Sequence, residues 1–403
     1  MTKLIDNNEE LQSFCENLSS EPFITVDLEF LREKTYYAKL CLIQVGSQKD
    51  CAVIDPLAKD INLSPFFKLM DNPEILKVFH AGRQDLEIIY LMHHKIPAPI
   101  FDTQIAAQVC GYGESVGYET LVNSLVGKEL DKSFRFTNWE NRPLDNRQVE
   151  YAISDVTHLV PIYLKLKELL NNSGRESWLK EELEHLSNPS IYENNPQEAW
   201  QKIRHRSHNA RFLTILRELA SWRERRAQKT DVNRRSIIQD ECLLNIAATC
   251  PTSVEEMRQI RGIRKDVSDG KLGREMLEVL EKVKDITPDQ YIQLPKEEKI
   301  SAHAGALLEI LKLLLKIKSS EHGVASKLIA TEEDLLHLIK GKPNPLLKGW
   351  RYDIFGRDAI GVCEGRLCIG FDKENQKIAI SECCTIATPA ELNNTTENNN
   401  ERK

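Results

Sequence analysis

Asp27 and Glu29, one residue apart, close the apolar run Phe23-Ile24-Thr25-Val26. Asp85 sits in His80-Ala81-Gly82-Arg83-Gln84-Asp85, and Asp155 stands four residues after Tyr151. A strand puts residues i and i+2 on one face, and a helix does the same for i and i+4. Each pair can therefore aim two groups at one point. Converging carboxylates drive one another's pKa values upward unless cations hold them. Hard divalent ions, Mg²⁺ or Mn²⁺, take oxygen ligands of this kind. Two such ions about 3.5–4 Å apart form the clamp used in phosphodiester cleavage. The chemistry expected of Asp27, Glu29, Asp85 and Asp155 is thus metal-dependent phosphoryl transfer.

Six stretches in order extend this pattern: Val26-Asp27-Leu28-Glu29-Phe30, Cys41-Leu42-Ile43-Gln44-Val45-Gly46, His80 to Glu87, Phe101-Asp102-Thr103-Gln104, Trp139-Glu140-Asn141-Arg142-Pro143-Leu144 and Tyr151 to Val156. On these residues the chain resembles the Asp-Glu-Asp-Asp 3′→5′ exonucleases in their tyrosine subclass, and within it the ribonuclease D family. The resemblance implies that Asp27, Glu29 and Asp155 ligate the ion holding the attacking water. It implies that Asp27 bridges to a second ion, which Asp85 supports largely through water. Tyr151 would orient the water. The sister subclass places a histidine shortly before the last aspartate. Here that position is Glu150, and His158 lies on the wrong side of Asp155. Leu28 departs from the threonine of many relatives and should affect packing or nucleotide contact more than metal binding.

The family implies a 3′→5′ exoribonuclease that releases 5′-mononucleotides and trims the 3′ extensions of RNA with a free 3′ end, notably precursor tRNA. Two rivals stay open: a DNA-directed proofreading or repair exonuclease with the same centre, and a catalytically idle RNA-binding module. Four intact acids speak against the latter. Motifs for a serine nucleophile, a zinc protease or a complete phosphate-binding loop are missing, so no nucleotide cofactor is expected. His80 could cap a strand end or contact substrate. Lys132, Arg135, Arg142 and Arg147 could line a phosphate track with Phe134, Phe136 and Trp139 as stacking faces; alternatively they form a solvated face with Trp139 buried. Asp102, before a helical run, is expected to be an N-cap.

The elements that must position these groups follow from periodicity. Residues 21–30, 40–46, 51–55 and 76–80 read as strands, and Asn8 to Leu18, Ser64 to Met70, Gln84 to Met92 and Gln148 to Leu170 read as helices. This alternation predicts an α/β domain with a mixed sheet, and the resemblance implies that it is ribonuclease H-like. Turn formers cluster at 187–198, so a linker is expected there. Beyond it an internal repeat appears: Val232 to Ile237 with Leu243-Leu244 matches Val324 to Ile329 with Leu335-Leu336, a constant offset of 92 residues. Two all-α bundles follow from this, and both resemble the HRDC type of nucleic-acid-binding domain. The expected division is an exonuclease domain over 1–195, HRDC-type domains over 205–288 and 295–387, and a disordered tail over 388–403.

Net charge is −7 over 403 residues, yet 201–285 alone carries +6. Arg226 and Arg234 in the first bundle are therefore expected to bind substrate phosphates. Hydrophobic content of 41% and charged content of 29% are those of a soluble globular protein. The chain shows no apolar run of membrane-spanning length and no signal-peptide pattern. Its ten cysteines form no metal or disulfide framework. A cytoplasmic monomer without membrane attachment is expected.

Overall fold

Short strands alternate with capped amphipathic helices, and they assemble where the apolar faces can be covered from both sides. The structure is a computed structural model that describes residues 4–130, 134, 137–293 and 301–383. Lys132, Arg135, Phe136 and the tail expected to be disordered lie outside the described residues. In chain order the first part holds β1 (Leu4–Ile5), α1 (Asn8–Leu18), β2 (Phe23–Leu31), β3 (Lys39–Gly46), β4 (Cys51–Ile54) and α2 (Ser64–Asp71). Next come β5 (Leu76–Phe79), α3 (Arg83–His93), β6 (Ile100–Asp102), α4 (Thr103–Val109), α5 (Tyr118–Leu121), α6 (Asn146–Ser173) and α7 (Glu176–Leu186).

Six strands form one sheet in the order β1-β4-β3-β2-β5-β6. The β2–β3 and β3–β4 pairs are antiparallel and the remaining pairs parallel, which is the mixed sheet expected. Helix α1 forms because Leu11, Phe14, Cys15 and Leu18 recur on one face, which is buried, and the Asn7 side chain caps its first turn. β5 is fixed by Lys77, which is fully buried. Its ammonium donates to the carbonyls of Asn72, Ile75 and Ala98 at 2.8, 2.8 and 2.6 Å, so the buried group is satisfied.

The described residues group into two compact units. The first takes the described parts of 1–103, 118–165 and 180–297. It thus joins the sheet to the first helical bundle: α8 (Ala210–Thr230), α9 (Arg234–Ile237), α10 (Asp240–Thr249), α11 (Val254–Arg258), α12 (Lys265–Ser268) and α13 (Lys271–Val283). The stretch expected to be a linker is folded. Pro189–Ile191 and Pro196–Lys202 are 3₁₀ turns opened by proline and capped by the side chains of Asn188 and Asn195. Trp200 and Ile203 are buried in the bundle core with Leu213, Leu216 and Met276. Tyr36, from the connection between β2 and β3, belongs to that same core. Its hydroxyl donates to Glu224, which is 1% exposed on α8. Arg234 Nη2 donates to the same carboxylate at 2.6 Å, and its guanidinium lies 4.8 Å from the Tyr36 ring centre. Asp231 accepts the main-chain N–H groups of Tyr36 and Tyr37 at 3.1 and 3.0 Å.

The second unit takes the described parts of 104–117, 166–179 and 298–403. Its bundle begins with α14 (Ala302–His322), α15 (Ser326–Ile329) and α16 (Glu332–Ile339), whose first residues each fall 92 positions after those of α8, α9 and α10. The copies then diverge. Two short helices, α17 (Gly349–Arg351) and α18 (Arg357–Cys363), lead into an antiparallel hairpin of β7 (Leu367–Asp372) and β8 (Lys377–Glu382), an addition to the all-α pattern. Within this unit Trp178 stacks on Trp350 with ring centres 4.6 Å apart. Arg175 donates to the carbonyls of Val109 and His322 at 3.0 and 2.5 Å. Among the described residues no helix is long and apolar enough to cross a membrane.

The Tyr36 hydroxyl ties the sheet's own connection to a buried carboxylate of the first bundle. Tyr36→Phe leaves Glu224 one donor short and is expected to cost about 1–3 kcal/mol. Urea denaturation reads this as a lowered midpoint, and an unchanged midpoint would show that the contact carries no stability.

Candidate active site

β2 presents Thr25, Asp27 and Glu29 on one face by its two-residue period. Helix α6 must then bring Asp155 against that face, and two contacts set its approach. A Cβ on Gly46 would stand 2.8 Å from Thr25 Oγ1 and 3.3 Å from Val156 Cβ, so only glycine admits the helix this closely. The Thr25 hydroxyl donates to the Val156 carbonyl at 2.9 Å. From α5, the Tyr118 phenol donates to the main-chain carbonyl of Asp155. Asp85 arrives on the first turn of α3. A Cβ on Gly82, just before that turn, would lie 2.5 Å from Phe79 Cβ. Asp102, at the end of β6, accepts the N–H groups of Ala81 and Gly82 at 3.2 and 2.8 Å. Asp102 therefore fixes the turn that leads into the helix carrying Asp85.

Asp27, Leu28, Glu29, His80, Gln84, Asp85, Tyr118, Tyr151 and Asp155 all line one cavity of about 280 Å³. Carboxylate oxygens of Asp27, Glu29 and Asp155 lie within 4.8 Å of one another. Asp85, 7% exposed, completes the acidic wall. Burial pushes Asp27 up to about 7, against the pull of the Leu28 N–H. Burial, then repulsion from Asp27, Asp155 and Asp85, pushes Glu29 up to about 9. Burial and Asp27 push Asp155 up to about 8. Asp85 is raised in the same sense, by burial and then by Asp27 and Asp102. Among the described residues no lysine or arginine lines this cavity. The donor set is purely carboxylate oxygen, which suits a hard divalent cation and not a soft one. Gln44 stands opposite Asp27 on β3, fully buried, and its amide oxygen and nitrogen have no partner among the described residues.

His80 lines the cavity, and its Nδ1 lies 3.0 Å from Thr103 Oγ1. Thr103 gives its one hydroxyl proton to the Phe79 carbonyl at 3.1 Å, so His80 Nδ1 must be the donor in their contact. Burial lowers the His80 pKa to about 4, which leaves Nε2 an unprotonated acceptor at neutral pH. Tyr151 packs on Trp139, with ring centres 6.2 Å apart.

The other substrate candidates sit elsewhere. Trp139 is 3% exposed in the core with Cys41, Leu42 and Val149, so it takes the buried alternative. Arg142 donates to Asp55 at 2.6 and 2.7 Å and to the carbonyls of Cys41, Trp139 and Asn141, which makes it an anchor of the chain beside β3. Arg226 is held by Glu275 at 2.6 and 2.7 Å within the bundle. Arg234 serves the Tyr36–Glu224 contact. Sequence reasoning missed Tyr118, which opens a four-residue helix after a turn-rich stretch; no spacing relates it to Asp155.

Comparison with known proteins agrees with this geometry. Residues 2–171 match the family model described as 3′-5′ exonuclease, and residues 212–280 match that of the HRDC domain. The chain is 42% identical to ribonuclease D of Granulibacter bethesdensis over 378 residues, covering 93% of this chain and 96% of that protein. It is 44% identical to ribonuclease D of Sphingobium indicum, covering 90% and 95%. The crystal structure of Escherichia coli RNase D, described as an exoribonuclease involved in structured RNA processing, superposes with a TM-score of 0.78 at 30% identity. That match covers 90% of this chain and 99% of that one.

Carboxyls with raised pKa values bind more protons folded than unfolded, so stability is lost as pH climbs from the ordinary carboxylate range through about 9. In EDTA the Tm should fall between about pH 6 and pH 9, and Mn²⁺ should restore more of it at the alkaline end. Asp155→Asn should flatten the decline. A metal-free Tm indifferent to pH across this interval contradicts the electrostatic account.

Proposed function

This chain belongs to the ribonuclease D family of 3′→5′ exoribonucleases, and from that premise we propose that it trims the 3′ extensions of structured RNA, precursor tRNA foremost, releasing 5′-mononucleotides. The observation that carries the reading is the meeting of Asp27, Glu29 and Asp155 within 4.8 Å beside Asp85 and Tyr151 in one cavity. Two divalent cations, Mg²⁺ or Mn²⁺, would be held by the four acids and would supply water activation and charge neutralisation at the leaving oxygen.

The chain's own groups do the rest. Asp27, Glu29 and Asp155 form the cluster, and Asp85 lines the same cavity beside it. The Tyr151 phenol, four residues before Asp155 on α6, orients the attacking water. Tyr118 holds the turn of helix that carries Asp155. Leu28 lines the cavity but is only 4% exposed, so it bears on the packing behind the acids and not on nucleoside contact. His80 Nε2 accepts a ribose hydroxyl, and the 2′-OH is the group that separates RNA from DNA. The first bundle grips the RNA body. The matching starts of α14, α15 and α16 support an HRDC-like assignment for the second bundle as well.

Asp27→Ala and Asp155→Ala should each remove metal-dependent release of mononucleotides from a 3′-extended RNA while the fold persists. Undiminished digestion by either variant refutes the assignment. Tyr151→Phe should lower kcat by about 10²-fold with KM little changed. For His80→Ala the readout is the ratio of kcat/KM on matched RNA and DNA strands, expected to fall about tenfold, as for one lost hydrogen bond. An unchanged ratio removes His80 from ribose recognition.

A further inference from the structure

We propose that the RNA backbone upstream of the scissile bond leaves the acidic cavity over Arg83 and follows two adjoining cavities to Arg235 on the first bundle. This path presupposes the exonuclease reading and names the surface that holds the strand. The three cavities share walls within one compact unit. Gln84 lines both the acidic cavity and a second of about 610 Å³. Lys202 and Arg234 line both that second cavity and a third of about 520 Å³.

Most cations along this path are already committed. Glu87 holds Arg32, and Glu224 holds Arg234. Arg83 and Arg235 differ. Both are exposed, both line the path, and neither guanidinium has a hydrogen-bond or ion-pair partner among the described residues. Arg223, in the wall of the third cavity, is 3% exposed. Its outer nitrogens reach the Ile238 carbonyl and Asp240 at 2.9 and 2.7 Å, but its Nε has no partner among the described residues. A buried guanidinium N–H short of an acceptor is uncommon, and the adjoining cavity is where an acceptor can sit.

Guanidinium forks facing a groove suit phosphate oxygens. The tyrosines of the second cavity, Tyr36 and Tyr192, are 7% and 2% exposed, so neither offers a face on which a base could stack. The path therefore recognises backbone charge and not base sequence. Of the four acids among the described residues in these walls, Glu87 is paired with Arg32 and Asp240 with Arg223, and the remaining two, Glu33 and Glu193, are outnumbered by Arg83, Lys202 and Arg235.

The test is equilibrium binding of the full chain to a 5′-labelled single-stranded oligouridylate in EDTA, read by fluorescence anisotropy over a series of salt concentrations. Arg83→Ala combined with Arg235→Ala should weaken binding about tenfold and reduce the slope of log Kd against log salt by about 1.4, from about 0.7 per lost phosphate contact. The matching Arg→Lys pair keeps both charges and should recover most of the slope, which separates lost contact from disturbed folding. Arg264→Ala, a charge of the same bundle outside the three cavities, should leave the slope at its wild-type value. A wild-type slope in the double alanine variant, an unrecovered slope in the lysine pair, or an equal loss from Arg264→Ala overturns the path. Because binding is read without turnover, a wrong exonuclease assignment would show separately, as wild-type protein unable to shorten a 3′ end.

Discussion

Burial of four carboxylates side by side, with repulsion among them added, is the constraint on which the rest of this structure depends. Left in water, Asp27, Glu29, Asp85 and Asp155 would each ionise and separate. The fold instead presses them into one cavity wall, in which no lysine or arginine is found among the described residues. Their raised pKa values express that cost. Such an arrangement persists only where the surroundings over-determine it. The glycine at position 46, the Thr25 hydroxyl on Val156 and the hold of Asp102 on the turn before α3 supply that rigidity. Each fixes a backbone segment bearing an acid, so the acids are held by main-chain geometry and not by one another.

The first bundle is part of the same compact unit as the sheet. Its core includes Tyr36 from the connection that follows β2, the strand bearing Asp27 and Glu29. A basic bundle joined through a buried Tyr–Glu–Arg contact keeps its register with the acidic centre. Charge is then divided by place: acids crowd the cavity beside β2, while residues 201–285 carry +6. An overall charge of −7 conceals that division.

Much of this was legible in the sequence, for identifiable reasons. The long elements follow hydrophobic periodicity, so β2, β3, α1 and α3 fall within a few residues of expectation. The i, i+2 and i, i+4 spacings aim Asp27 with Glu29 and Tyr151 with Asp155 at one cavity. β1 and β6, of two and three residues, are too short to show a period. The stretch at 187–198 looks like a loose tether because proline and asparagine break helices, yet the same residues cap 3₁₀ turns once Trp200 has a core to enter. Tyr118 and the commitment of Arg142 to Asp55 depend on contacts between distant segments, which no local pattern records. A count of positive charges likewise cannot separate Arg226, paired with Glu275, from Arg83, which is free of such a pair among the described residues.

The account stands on paired cations occupying the acidic cavity. A crystal soaked with Mn²⁺ and a nucleoside 5′-monophosphate, measured at the manganese absorption edge, tests this most directly. Two anomalous peaks are predicted, one among the carboxylates of Asp27, Glu29 and Asp155 and one between Asp27 and Asp85, with the phosphate against both. Anomalous density confined to other surfaces, or an acidic cavity that stays without it at saturating Mn²⁺, would contradict the central claim.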